Sequence, residues 1–183
     1  TRNPSKPNEF YWNPDKKEMD EAALKDVTVL INLSGAGIAD GRWTTKRKLE
    51  LSKSRVEANA FLHAYAEKMP RLKQFVCASG INAYPSDREE CFTEEDSFGD
   101  EYLNQLTKEW EESAHLFASS VKVTLIRTAV VLSADGGAYP KLAAITKRGF
   151  GSALGSGKQY IPWIHMKDLC GIYIHTIENE LAG

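Results

Sequence analysis

The sequence contains few cysteines and no long apolar segment, and each absence excludes a class of protein. Its three cysteines, Cys77, Cys91 and Cys170, form neither a CxxC motif nor a metal-ligand spacing, so they indicate a reducing compartment and no metal site. No apolar run approaches the roughly 20 residues that a membrane-spanning helix needs, and the first ten residues lack the apolar core of a signal peptide. We therefore expect a cytoplasmic protein that does not bind membranes.

The sequence also lacks an excess of charge of either sign. Its 23 lysines and arginines nearly balance 25 aspartates and glutamates, so no strong field attracts nucleic acid. Hydrophobic residues make up 42% of the chain, which is too many for a disordered protein. A length of 183 residues fits one domain with its own core. Residues 1–183 are therefore interpreted as a single domain that is an enzyme or a ligand-binding module.

Short apolar runs alternate with longer amphipathic segments along the chain. The apolar runs predict strands at residues 27–33, 74–79, 121–132 and 160–165. The longer segments predict helices near residues 44–68, 100–119, 140–146 and 166–177. This alternation predicts an α/β fold whose parallel sheet is covered by helices on both faces. Ligands bind at the carboxyl ends of such strands, so the candidate site positions are 32–35, 78–84 and 128–132.

Several motifs occur in a characteristic order: NLSGAGIADGRW, KSRVEAN, ASGINAY, KEWEESA, RTAVVLSADGGAYPKL and LGSGKQYIPWIHMKDL. This order resembles the atypical short-chain dehydrogenase/reductase family, and most of all its epimerase-like branch, whose members are described as sugar nucleotide epimerases or cell-division-inhibitor homologues. The resemblance spans nearly the whole chain. It implies a Rossmann-like doubly wound parallel sheet, an NADP cofactor in preference to NAD, a small-molecule substrate and, by analogy with related enzymes, a homodimer.

The same resemblance implies that two parts of the family's domain are missing from the sequence. Family members begin with a strand and a GxxGxxG turn, whose backbone amides hold the cofactor pyrophosphate at a helix N-terminus. Here Thr1 and Arg2 would come just after the second strand. The C-terminal substrate-side segment is expected to be missing as well. A sheet without its first strand would have an unpaired edge where its centre should be.

The resemblance assigns the first residues of the chain to the choice between NAD and NADP. In Rossmann proteins a carboxylate after the second strand binds the ribose 2′-hydroxyl, whereas an arginine accepts the 2′-phosphate. Arg2 would accept that phosphate, and the Thr1 hydroxyl would add a donor. The alternative is a solvated chain terminus with no ligand.

Further cofactor contacts follow from the matched motifs. Leu33, Ser34 and Gly35 would lie under the adenosine, where a small residue lets the backbone approach. Glu50 and Arg55 would lie on the cofactor side of a helix, although a solvated helix face with a local ion pair is the alternative reading. The remaining predicted contact is with the nicotinamide half of the cofactor, from Val131.

The catalytic groups are harder to assign, because the usual pair is absent. Members of the wider family use a Ser or Thr together with a YxxxK pair as acid/base groups. Here Ser79 lies one residue before the aligned position, and Tyr102 is followed four residues later by Leu106 rather than by lysine. The remaining candidates are the hydroxyls of Ser79 and Tyr84 and the imidazole of His165.

Alternatives stay open at the site. A structural histidine bonded to a backbone carbonyl explains His165 at least as well. Arg127, at the end of a buried strand, must be paired, either with an anionic substrate or with a loop carboxylate. The function is correspondingly either an oxidoreductase or epimerase, or a non-catalytic NADP(H)-binding sensor or scaffold that has lost the YxxxK pair.

Overall fold

The strands of the described residues belong to three separate sheets. The computed structural model describes residues 1–86, 90–153 and 155–183. Its strands are β1 (Trp12–Asn13), β2 (Glu18–Met19), β3 (Val29–Asn32), β4 (Gln74–Gly80), β5 (Lys122–Thr128), β6 (Val130–Leu132) and β7 (Trp163–His165). β1 and β2 form an antiparallel hairpin, β3, β4 and β5 form a parallel sheet in that order, and β6 and β7 form a parallel pair.

Helices connect and cover these strands. In the described residues they are α1 (Thr45–Ser52), α2 (Ala58–His63), α3 (Tyr102–Ala114), α4 (Ala138–Ile145) and α5 (Met166–Glu178). A π-helical turn at Lys53–Glu57 joins α1 to α2 and interrupts the single helix predicted over residues 44–68. Within the described ranges, none of the helices combines the length and the apolarity needed to cross a membrane.

Alternate residues of β4 contact opposite layers of the molecule. Phe75 and Cys77 pack into the main hydrophobic core with side chains of α2 and α3. Gln74 points to the other face, where its amide donates to the carbonyl oxygens of Thr176 (3.2 Å) and Leu181 (2.9 Å), in and after α5. Successive side chains of a strand face opposite sides of the sheet. Helices therefore cover both faces, and the predicted Rossmann-like, doubly wound arrangement is confirmed.

β5 and β6 are separate strands, whereas the sequence predicted one strand that continues to Leu132. Thr128 at the end of β5 pairs with Gly80, the last residue of β4. Beyond Gly80 the chain turns into a 3-10 helix at Ile81–Ala83, so β4 offers no further backbone partner. The prediction of one continuous strand is wrong for this reason, and Val130–Leu132 pair with β7 instead.

β3 is one of the two edge strands of the main sheet. This strand pairs with β4 on one side, and no strand of the described residues pairs with its other side. Ile31 in β3 is 42% exposed and Leu33, just after it, is 66% exposed. The unpaired edge that the sequence predicted is therefore present, and the cleft described next opens at its carboxyl end.

Candidate functional site

A cleft of about 920 Å³ opens at the carboxyl end of β3, and we call it the β3 cleft. One wall is the face of α1 and of the π-helical turn after it. A second wall is the N-terminal segment together with the β1–β2 hairpin. The loop after β3 lies between them. The lining comprises Thr1, Arg2, Asn3, Trp12, Pro14, Asp15, Ser34, Gly35, Ala36, Lys46, Leu49, Glu50, Lys53, Ser54 and Glu57.

The loop after β3 is held in place by side chains of the π-helical turn. The Ala36 backbone N–H donates to Ser54 Oγ (2.9 Å), and the Ala36 carbonyl oxygen accepts from Arg55 Nη2 (3.0 Å). At the start of the loop the Ser34 N–H donates to Asn32 Oδ1 (2.9 Å). Because the N–H and the carbonyl group of Ala36 are both bonded to adjacent residues of the π-helical turn, the loop presents a fixed backbone surface to the cleft.

Gly35 is required by the close approach of the Arg55 guanidinium. A Cβ atom at position 35 would lie 3.1 Å from Arg55 Cζ, which is tighter than ordinary side-chain contact. Arg55 itself is buried, donates to the Leu51 carbonyl oxygen (3.1 Å) and lies 5.0 Å from the ring centroid of Trp110. Burial lowers the pKa of Arg55. Its guanidinium is therefore bonded to protein groups and positions the loop, and its direct contact with a cofactor stays a prediction.

The charged side chains of the cleft differ in whether they are paired. Arg2 Nη2 lies 2.8 Å from Asp15 Oδ2, and Glu50 Oε2 lies 2.7 Å from Nη1 of Arg47. In the part of the chain that the structure describes, Lys46 forms no ion pair, and neither does Lys53, seven residues further along the same wall. Glu57 on this wall is also without an ion pair among the described residues. The cleft therefore offers uncommitted cationic groups to an anionic ligand.

The structure brings most of the predicted cofactor residues to this one cleft. Thr1, Arg2, Ser34, Gly35 and Glu50 all line it. Two others lie elsewhere, since Leu33 is an exposed residue beside the lining and Val131 is part of β6, which pairs with β7.

A second polar group lies where β4 and β5 end, and we call it the β4 cluster: Ser79, Tyr84, Glu111 and Arg127. Arg127 Nε and Nη2 donate to the two carboxylate oxygens of Glu111 (2.9 and 2.8 Å). Ser79 Oγ donates to Glu111 Oε1, and Arg127 Nη1 donates to the Tyr84 hydroxyl oxygen (2.8 Å). Glu111 and Ser79 are almost completely buried. The carboxylate raises the pKa of Arg127 through these hydrogen bonds, so the guanidinium stays charged.

The β4 cluster also contacts Phe92, Glu94 and Phe98, which lie between β4 and α3 in the sequence. The ring of Tyr84 stacks on Phe92 with centroids 5.1 Å apart, and the Arg127 guanidinium lies 5.0 Å from the Phe98 centroid. Arg127 Nη1 also donates to the Glu94 carbonyl oxygen (3.4 Å). One partly buried cation therefore bonds to Tyr84 and to the Glu94 backbone.

Sequence reasoning predicted that Arg127 is paired but did not find Glu111. The two partners proposed for Arg127 were an anionic substrate and a loop carboxylate, and the residue that the structure shows is on helix α3. A signal was present, because Glu111 lies next to Trp110 and three residues before Ala114, which are both apolar residues of the predicted helix. A carboxylate that is buried beside apolar residues needs a cationic partner.

In α3 the nearest approach to a YxxxK pair is Tyr102 followed six residues later by Lys108. The Tyr102 hydroxyl donates to the Lys48 carbonyl oxygen of α1 (3.1 Å), and burial raises the pKa of this phenol. Lys108 is exposed on α3. His165 is exposed and its Nδ1 accepts from the Lys167 backbone N–H (3.2 Å), which caps the start of α5. The structural alternative predicted from the sequence was a bond to a backbone carbonyl, whereas His165 accepts from a backbone N–H. A catalytic role for His165 stays a prediction.

A parallel sheet with crossover helices and a cleft at the carboxyl end of a strand is typical of a Rossmann-like α/β domain. Residues 13–183 match the model of the NAD dependent epimerase/dehydratase family, and the chain belongs to that family. This confirms the resemblance that the sequence motifs indicated.

Individual proteins of known sequence or structure support the same family assignment. The chain is 36% identical to the epimerase family protein Mb2239 of Mycobacterium bovis, over 91% of this chain and 56% of that protein. It superposes on the crystal structure of human epimerase family protein SDR39U1 (isoform 2) with NADPH at a TM-score of 0.86, with 30% identity, 100% of this chain and 62% of that chain covered. A nucleoside-diphosphate sugar epimerase from Corynebacterium glutamicum gives a TM-score of 0.79 at 28% identity, with 94% and 36% covered. The chain thus spans about 56–62% of the first two relatives.

Proposed function

We propose that the protein binds NADPH in the β3 cleft and transfers a hydride between it and a small alcohol, carbonyl compound or nucleotide sugar. The observation that carries the proposal is that Arg2, Ser34 and Gly35 line one cleft, although 31 residues separate Arg2 from Ser34 in the sequence. The human relative, of similar fold, was crystallised with NADPH, which supports the choice of cofactor.

The residues of the cleft fit a phosphorylated dinucleotide. Arg2 is 61% exposed at the side chain and has four guanidinium N–H groups beyond the one directed at Asp15. Lys46 and Lys53 add positive charge on the opposite wall. Ser34 and Gly35 bring the loop after β3 into the lining of the cleft, where the adenosine would lie. In this assignment Arg2 and Thr1 hold the 2′-phosphate, and Ser34 and Gly35 contact the adenosine.

The β4 cluster is the best candidate for proton transfer. The bound nicotinamide would supply or accept the hydride. Tyr84 accepts a hydrogen bond from Arg127, so its own phenolic proton is available to a substrate oxygen. Ser79 is held by Glu111 and shapes the end of β4. We assign Tyr84 the role of acid/base, with Ser79 and His165 as the further candidates.

A specific observation favours a second function, which is cofactor binding without turnover. The hydroxyls that the wider family would use are bonded within the protein, since Ser79 donates to Glu111 and Tyr102 donates to the Lys48 carbonyl. Such a protein would be an NADP(H) sensor or scaffold. NADPH oxidation with a panel of carbonyl compounds and nucleotide sugars supports the enzyme, whereas tight binding without turnover supports the sensor.

The cofactor assignment is tested by Arg2→Asp in the complete protein. The substitution removes the cation and places a carboxylate beside the 2′-phosphate, so the Kd for NADPH should rise at least tenfold while the Kd for NADH changes little. Isothermal titration calorimetry measures both. The control is Arg71→Asp, because Arg71 forms a similar exposed pair with Asp26 but does not line the cleft. An equal loss for NADPH and NADH would contradict the 2′-phosphate role of Arg2.

A further inference from the structure

The β3 cleft contains a carboxylate beside its candidate phosphate ligand. Asp15 Oδ2 accepts from Arg2 Nη2 at 2.8 Å, and both residues line the cleft. Their side chains are 78% and 61% exposed. The two partners are 13 residues apart in the sequence, so a folded hairpin, and not local chain geometry, brings them together.

The position of Asp15 is fixed by the hairpin that carries it. Asp15 lies in the turn between β1 and β2, where the Lys17 N–H donates to the Pro14 carbonyl oxygen (3.2 Å) and the Lys16 N–H donates to Asn13 Oδ1 (3.3 Å). Asn13 is buried. The carboxylate is therefore presented to the cleft by an ordered turn.

The β1–β2 hairpin contacts both the N-terminal segment that carries Arg2 and helix α2. The Trp12 N–H donates to the Thr1 carbonyl oxygen (2.9 Å), and the Trp12 ring stacks on Phe61 of α2 with centroids 4.9 Å apart. Arg2 and Asp15 therefore keep their relative positions, and a phosphate that approaches Arg2 meets the carboxylate as well.

We infer that Asp15 sets how strongly the cleft prefers NADPH over NADH, an inference that rests on the proposed function. A 2′-phosphate on Arg2 shares the guanidinium with Asp15 and is repelled by its negative charge. A ribose 2′-hydroxyl is neutral and can donate to the same carboxylate, as acidic residues do in NAD-binding Rossmann domains. Asp15 therefore weakens NADPH binding and favours NADH. The cleft therefore contains Arg2, which favours NADPH, and Asp15, which favours NADH. Removal of the Asp15 carboxylate should shift the binding preference towards NADPH.

The test is Asp15→Asn in the complete protein, with the Kd of NADPH and of NADH measured by calorimetry. Because exposed charge pairs have small energies, the Kd of NADPH should fall about two- to fivefold. The Kd of NADH should stay the same or rise. The gain for NADPH should shrink at high salt, where exposed charges are screened. Asp26→Asn is the matched control, since Asp26 pairs with Arg71 outside the cleft and its loss should change neither Kd.

Two results would overturn the inference, and they are distinguishable. If the unchanged protein binds NADPH but Asp15→Asn leaves that Kd unchanged or raises it, Asp15 does not oppose the phosphate and only this inference fails. If the unchanged protein shows no saturable binding of NADPH, the proposed function fails and the inference fails with it.

Discussion

The β3 cleft and the β4 cluster lie at the carboxyl ends of neighbouring parallel strands, yet they use their polar groups in opposite ways. In the β4 cluster, Glu111 accepts from Arg127 and Ser79, so the charges are satisfied inside the protein. In the β3 cleft, Lys46 and Lys53 face open space without an ion-pair partner among the described residues. The charged groups at the end of β4 are bonded to other groups of the protein, whereas the cleft at the end of β3 leaves two lysines available to an anionic ligand.

The comparison predicts that a substitution in the β4 cluster affects stability most. Glu111→Ala leaves the partly buried Arg127 without its carboxylate, which should lower the free energy of unfolding by about 3 kcal/mol. Urea denaturation followed by circular dichroism measures this. Glu112→Ala is the control, because Glu112 is the exposed neighbour on the same helix and should change the free energy by less than about 0.5 kcal/mol. Equal effects of both variants would contradict a closed, satisfied cluster.

A smaller loss of stability is expected from a substitution in the β3 cleft. The change there disturbs the position of a backbone loop and leaves no buried charge without its partner. Gly35→Ala places a Cβ 3.1 Å from Arg55 Cζ and should displace the loop, lowering the free energy of unfolding by about 1 kcal/mol. Binding of NADPH should weaken in the same variant. Gly41→Ala is the matched control, since a Cβ there meets no atom within 4 Å. If both variants bind NADPH as the unchanged protein does, the Gly35 loop is not the floor of a binding site.

The smallest expected effect is the chemical modification of Cys77, which lies in the hydrophobic core. Cys77 is buried and burial raises its pKa to about 12, whereas Cys91 and Cys170 are exposed. At pH 8 only roughly one Cys77 in ten thousand is a thiolate, so iodoacetamide should modify the two exposed thiols and leave Cys77 intact. Mass spectrometry of peptides reads each site. Modification of Cys77 at the rate of the exposed thiols would show that the core opens easily.

The sequence predicted the parts of the fold that depend on local pattern. The apolar runs at 27–33 and 74–79 became β3 and β4 within a few residues, because apolar runs are typical of strands in a parallel sheet. Only β4 is largely buried, since Ile31 of β3 is 42% exposed. The end of β5 at Thr128 was missed, since it depends on where the neighbouring β4 stops. The π-helical turn at Lys53–Glu57 also has no simple sequence signal.

The candidate site was predicted less completely, because side-chain pairing is a property of the folded chain. The motifs located Ser34 and Gly35, which depend on a strand end followed by a small residue. They did not reveal that Arg55 supports the loop from behind through the Ala36 carbonyl oxygen, nor that Asp15 faces Arg2. Both contacts bring together residues 13 or more positions apart, and only the folded chain shows them.

Whether NADPH binds in the β3 cleft can be decided by a crystal structure of the complete protein with NADPH. We expect cofactor density in which the 2′-phosphate lies within hydrogen-bond distance of the Arg2 guanidinium and the adenosine lies against Ser34 and Gly35. Density for NADPH at another face of the sheet, with Arg2 still bonded only to Asp15, would contradict it.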